Sequence, residues 1–218
     1  MPGTISEDIE IIGRSRGGGP PAPAGGGDEG GGSGGGRQRV PRRAYFTALQ
    51  LGLAAVVMFF MALASSYIVR KGLGEDWQRV PIPRILWVNT AVLLASSVTI
   101  AVARRKLEAG ARDAFQTWWW VTTGLGLLFL TGQVVAWKQL ALAGMFLSTN
   151  PSSSFFYLLT AAHGVHLAGG MFALFYVRFR AWSRSRIAQG TAAELASIYW
   201  HFMDGLWVFL LVLLTVGR

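Results

Sequence analysis

Three histidines and two acids interrupt stretches of sequence that are otherwise apolar. His163 and His166 stand one helical turn apart. Glu194 and His201 stand seven residues apart, two turns up one face of a helix, and Asp204 lies one turn beyond His201, some way round the cylinder. Imidazole is the usual axial ligand of haem and a common copper ligand, so one chemistry open to these residues is that of a haem, copper or di-metal centre. Such a centre needs axial pairs and a copper shell, for which three histidines without any cysteine are too few. Two quieter roles stay open. Glu194 could carry protons as an intramembrane carboxylate, or the five side chains could hydrogen-bond one another and the backbone between helices, where water is absent. The structural role fits better, and the expectation is one buried polar network of Glu194, His201, Asp204, His163 and His166, with no metal bound.

Other polar side chains are sparser. Asn89 and Thr90, then Ser96 and Ser97 with Thr99, and farther on Gln133, are most simply interhelical hydrogen-bond donors and acceptors. Ala162, Gly164, Gly169 and Gly170 flank the histidine pair and are small enough to let another helix come close. Trp118, Trp119 and Trp120 stand together at the start of an apolar run, the place of a headgroup-layer anchor.

The elements that must hold these residues are legible from charge. The chain has 218 residues, of which 52% are hydrophobic and 14% charged, with a net charge of +9. No charged residue occurs from Ala44 to Val69, from Ile85 to Ala103, from Ala114 to Trp137, or, with histidine neutral, from Gln139 to Val177. A water-soluble fold would break such runs with polar faces, whereas about 20 apolar residues cross the hydrocarbon of a bilayer as a helix. The expected fold is all-α: a polytopic membrane protein with five transmembrane helices in a bundle, over about 45–69, 85–103, 115–137, 154–178 and 196–216. The run from Gln139 is split by the segment from Ser148 to Ser154, whose Pro151 and small polar residues open a new helix. Residues 1–43 are a different material, rich in glycine and proline without an aromatic residue before the first helix, and read as a disordered cytoplasmic tail; residues 44–218 form the membrane domain. No cleaved signal peptide is expected, because the first apolar block is too long for a signal core.

Arg37, Arg39, Arg42, Arg43, Arg104, Arg105, Lys106, Arg112, Arg178, Arg180, Arg184 and Arg186 would share one side of the membrane. Only Arg70, Lys71, Arg79, Arg84, Lys138 and Arg218 would face the other. The positive-inside rule then puts the N-terminus in the cytoplasm and the C-terminus outside. The same clusters, flanking apolar blocks, suit anionic lipid and exclude nucleic acid as the reason for the basic balance.

Three strings resemble subunit III of the haem-copper oxidases. Phe155-Phe156 leads into His163-Gly164-Val165-His166, with Gly169 and Gly170 following. The closing helix has Glu194 ahead of Tyr199-Trp200-His201-Phe202, then Asp204 and Trp207, and this string is highly specific. Asn89-Thr90 with Leu93 and Ser96-Ser97 matches the family's pattern in the second span. The resemblance covers about residues 45–218 and points to the short five-helix bacterial form. Two departures stand out: a family glutamate in the first span is replaced by Val56, and the acid after Gln133 in the third is missing.

The resemblance implies a redox-inactive subunit of a cytochrome c oxidase type complex in the bacterial inner (plasma) membrane. It implies no active site in this chain, and haem and copper in partner subunits. Subunit I would be the principal partner, with subunit II also in the complex. Structural phospholipid would bind, and the subunit would support stability of subunit I, proton uptake and aerobic electron transport. A five-helix homologue associated with nitric oxide reductase is the alternative within the family, and a small membrane transporter the alternative outside it. The absence of internal repeats speaks against the transporter.

Overall fold

The computed structural model describes residues 41–73, 83–146, 150–179 and 186–216. The chain divides into two units, Met1–Arg39 and Val40–Arg218. The first lies outside the described residues, and with it nearly all of the expected tail. Arg42 and Arg43, counted with that tail from the sequence, instead open the first helix.

Five helices make up the second unit: α1 (Arg42–Leu73), α2 (Ile85–Glu108), α3 (Arg112–Leu142), α4 (Pro151–Phe179) and α5 (Arg186–Val216). All five are long and apolar enough to cross a membrane, and no strand occurs among the described residues. They hold 32, 24, 31, 29 and 31 residues, or roughly 36–48 Å at the α-helical rise. Every helix overruns the span expected from its uncharged run, α5 by ten residues at its start. The reason is that charge ends the hydrocarbon-buried part of a helix without ending its hydrogen-bond ladder, which continues into the headgroup layer.

Where the helices stop, the local sequence stops them. After α2, Gly110 takes a φ of +77°, its N–H bonds to Leu107 O at 3.1 Å, and Ala111 N–H bonds to Lys106 O at 3.0 Å. After α3, Gly144 at φ +78° repeats the pattern, with bonds to Ala141 O at 3.0 Å and from Met145 N–H to Leu140 O at 3.0 Å. Both are glycine-terminated Schellman ends, which a Cβ would strain. Helix α4 starts with Asn150 ahead of Pro151, and Ser153 Oγ both donates to Asn150 O at 2.8 Å and accepts from its N–H at 3.3 Å.

Packing is tightest between α2 and α3, whose hairpin is joined by three residues, and next between α4 and α5. Helix α5 also packs on α2, α3 on α4, while among the described helices α1 touches only α4 and α5. The core holds Phe60, Trp119, Phe129, Phe156, Trp200 and Trp207, whereas Leu51, Met58, Ile68, Leu127 and Phe172 are exposed. An apolar exterior around a core containing Asn89, Gln133 and His163 is what a lipid solvent demands.

The tryptophan triplet does not act as one anchor. Trp118 and Trp120 are 36% and 43% exposed, but Trp119 is 1% exposed and donates its Nε1–H to Leu174 O at 3.1 Å. Consecutive residues turn 100° around a helix, so three in a row cannot share the lipid face.

Candidate functional site

Helix α5 is the keystone of the bundle. Ala193, Ala196, Trp200, Met203, Trp207, Leu210 and Leu214 are buried along it, an alternation of three and four that draws one stripe down a helix. Two indoles of that stripe reach α2. Trp200 Nε1–H donates to Ser96 Oγ at 2.9 Å and Trp207 Nε1–H donates to Thr90 Oγ1 at 3.0 Å. Each hydroxyl in turn donates to its own helix, Ser96 to Leu93 O at 2.6 Å and Thr90 to Leu86 O at 2.8 Å. Hydroxyls used in both directions cost nothing in the membrane interior, and the two bonds fix the register of antiparallel helices. Small residues make the approach possible: a Cβ on Gly126 would lie 2.7 Å from Trp200, and one on Gly170 would lie 3.0 Å from Tyr199.

The five residues expected in one network stand in separate places. Glu194 is at the charged end of α5, where Arg42 of α1 donates a hydrogen bond to it, and its side chain is 29% exposed. His201, two turns farther, is exposed and shares a 2.6 Å hydrogen bond through Nδ1 with Ser97 Oγ of α2. The two do share a face of α5, as their spacing requires, but it is not the buried one. Each follows a stripe residue, Ala193 or Trp200, and is turned about 100° away from it. Asp204 is buried with no hydrogen-bond partner for either carboxyl oxygen, although Ser97 lies beside it.

The histidines of α4 diverge as well. His163 is fully buried, its ring 5.0 Å from Trp207 and 6.0 Å from Phe129 between centroids, and neither nitrogen has a partner. His166 turns toward α1 and packs on Phe59 and Phe60, its Nδ1 2.8 Å from Ala162 O. Tyr199 donates to the backbone oxygen of His166 at 2.9 Å. So no bond links the histidine side chains to Glu194, His201 or Asp204. For His166, His201 and Glu194 the cause is local satisfaction by Ala162 O, Ser97 Oγ and Arg42, whereas His163 is enclosed by the rings of Phe129 and Trp207.

Among the other polar residues of the spans, Thr90, Ser96 and Ser97 bond across to α5 and Thr99 Oγ1 meets Thr122 Oγ1 of α3 at 2.8 Å. Asn89 packs against Gly132, where a Cβ would lie 2.1 Å from its Oδ1. Gln133 is buried with neither amide atom partnered. Residue types alone do not reveal the roles of Trp200 and Trp207, nor of Thr160, which accepts from Trp137 Nε1–H at 3.1 Å. Ser152 and Ser197 are likewise buried, with no hydrogen-bond partner among the described residues. The three-and-four stripe on α5 is the signal that would have turned both tryptophans inward and His201 outward.

Among the described residues, no three His, Asp or Glu side chains come close enough to hold a metal ion. What the arrangement offers is a scaffold: two tryptophan ties, and buried polar atoms on α2, α3, α4 and α5.

Residues 46–216 match the family profile described as Cytochrome c oxidase subunit III. A protein of Mycobacterium tuberculosis named "Probable cytochrome c oxidase subunit 3" is 32% identical over 171 residues, covering 76% of this chain and 84% of that one. Its namesake in Nocardia farcinica is 33% identical over 161 residues, covering 72% and 79%. The "Cytochrome c oxidase subunit 3" of Thermostichus vulcanus is 30% identical over 164 residues, covering 73% and 80%.

Proposed function

This chain belongs to the cytochrome c oxidase subunit III family, a multi-pass membrane subunit of a terminal oxidase, and we propose that it serves there as a redox-inactive scaffold for subunit I. The observation that carries this reading is the pair of ties from Trp200 and Trp207 to Ser96 and Thr90. The residues most specific to the family are spent on holding α2 against α5, and none of them is arranged to transfer electrons. Haem and copper belong, in this reading, to subunits I and II. The chain packs chiefly on subunit I, carries structural phospholipid, and sustains proton uptake and stability of that subunit during turnover. Its N-terminus lies in the cytoplasm and its C-terminus outside, in the plasma membrane of a bacterium. The unpartnered polar atoms of Asn89, Gln133, His163 and Asp204 are kept as interhelical contacts rather than as ligands. The names of the relatives favour the oxygen-reducing complex over one that reduces nitric oxide.

Deleting the gene tests the role. The remaining oxidase is expected to begin turnover at a normal rate of oxygen consumption and then to lose activity faster than the intact enzyme. An oxidase that never assembles active subunit I, or one wholly unaffected beside lost nitric oxide reduction, would overturn the proposal.

A further inference from the structure

The interior of the bundle holds three amide and imidazole side chains that no neighbour serves. Asn89 of α2, Gln133 of α3 and His163 of α4 are buried, at 4%, 2% and 0% exposure. Asn89 Nδ2, both amide atoms of Gln133 and both ring nitrogens of His163 lack a hydrogen-bond partner among the described residues. Polar atoms taken out of water cost free energy unless something bonds to them, and here several are gathered inside a bundle whose outer solvent is hydrocarbon.

The contacts around them put the three at one depth. Helices α3 and α4 run antiparallel, since Trp119 Nε1–H reaches Leu174 O and, farther along α3, Trp137 Nε1–H reaches Thr160 Oγ1. Between those two bonds the ring of Phe129 lies 6.0 Å from that of His163, and Gln133 follows Phe129 by one turn on the same face of α3. A helical side chain leans back over the turn before its own Cα. Gln133 therefore leans toward Phe129, while His163, on a helix of opposite direction, leans toward the level of Gln133. Asn89 arrives at that depth from α2, against Gly132. Its neighbour Thr90 is bonded to Trp207, whose ring stands 5.0 Å from His163 and 4.9 Å from Phe129.

The hydroxyls and indole nearby are already engaged. Trp207 Nε1–H serves Thr90, Thr90 donates to Leu86 O, and Thr160 accepts from Trp137 and donates to Phe156 O at 2.7 Å. Gln133 and His163 share a depth without coming into bonding range of each other, and polar groups so placed are joined through water. The atom types fit. A neutral imidazole has one N–H and one bare nitrogen, Gln133 adds an NH2 and a carbonyl, and Asn89 adds an NH2. A water molecule between them accepts from the Gln133 and Asn89 amides and donates to the bare nitrogen of His163, about the three bonds that a buried water makes. A metal ion fits this set poorly, because it holds one imidazole and no carboxylate.

We propose that Asn89, Gln133 and His163 hold an ordered water molecule inside the bundle, so that α2, α3 and α4 are joined there by hydrogen bonds through that water. This goes beyond the scaffold reading above and stands whichever partners the chain has.

The test uses the full chain in lipid bilayers, labelled with nitrogen-15 in histidine, glutamine and asparagine side chains, and read by proton-detected solid-state NMR. Three histidines are present, and His163→Phe identifies the ring signals of His163 by their loss. A ring nitrogen of His163 is expected to correlate with the proton of a slowly exchanging water, and Gln133→Leu, which removes the amide while keeping the volume, should abolish that correlation. His166, whose Nδ1 lies 2.8 Å from Ala162 O, should keep its signals in Gln133→Leu and so reports that the variant is folded. A direct correlation from His163 to the NH2 of Gln133 or Asn89 without water overturns the site, as does survival of the water signal at full strength in folded Gln133→Leu. If that variant does not fold, the unsubstituted chain still decides, because absence of any water correlation at His163 there overturns the proposal by itself.

Discussion

At the scale of single residues, burial and partnership decide what a polar group is worth. The indole of Trp200 is fully buried and donates to a hydroxyl that has no other incoming donor. Trp200→Phe removes the bond and leaves a small cavity where the rest of the indole lay, so it should cost about 1–3 kcal/mol, and a double-mutant cycle with Ser96→Ala, which separates the bond from the cavity, should return a coupling of about 0.5–1.5 kcal/mol. Unfolding of the chain in mixed micelles by a denaturing detergent gives both numbers, and a coupling near zero would mean that the tie is geometric only. Glu194 is the contrast. Its pair with Arg42 joins side chains that are 29% and 61% exposed, so Glu194→Gln should change stability by less than about 1 kcal/mol in the same assay. A larger loss would show that the pair is covered in the complex.

At the scale of elements, small residues set how closely helices meet. The α2–α3 contact depends on Gly132, because any Cβ there would meet the Asn89 amide, with 2.1 Å to Oδ1 and 2.8 Å to Cγ. Gly132→Ala should therefore force α2 and α3 apart and cost about 1–3 kcal/mol through overpacking. Asn89→Ala removes the obstructing amide, so Gly132→Ala combined with Asn89→Ala should recover most of that loss. Thermal stability of the three variants in one detergent checks this, and a double variant no better than Gly132→Ala alone would place the cause elsewhere. Helix α1 behaves differently, since among the described helices it touches only α4 and α5 and it buries three residues, all in its second half. It is the element most dependent on what lies around the chain.

For the whole molecule, an odd number of spans would set the two ends of the membrane domain on opposite sides, and the orientation proposed above puts the C-terminus outside. Alkaline phosphatase fused after Arg218 should be active and a fluorescent protein there dark; the reverse outcome would invert the orientation. That assignment rests on charges flanking helices and is independent of how the bundle packs.

The sequence alone determined the solvent and the number of crossings, because runs of about 20 uncharged residues have one physical solution in a bilayer. Pro151 also marked a helix start, since a missing N–H is a local property, while the glycine ends of α2 and α3 at Gly110 and Gly144 emerged only with the structure. The strings around His163, Ser96 and Trp200 were enough to indicate the family. Contacts were another matter. Spacing correctly put Glu194 and His201 on one face of α5, yet which face was buried depended on α2 and α4 covering Trp200 and Trp207. His163 and His166, one turn apart, part company because α3 and α5 lie against one and α1 against the other. Nor could Arg42, 152 positions away in sequence, be matched to Glu194 before the helices were placed side by side. Periodicity fixes angles around a helix axis, and only packing decides what stands at each angle.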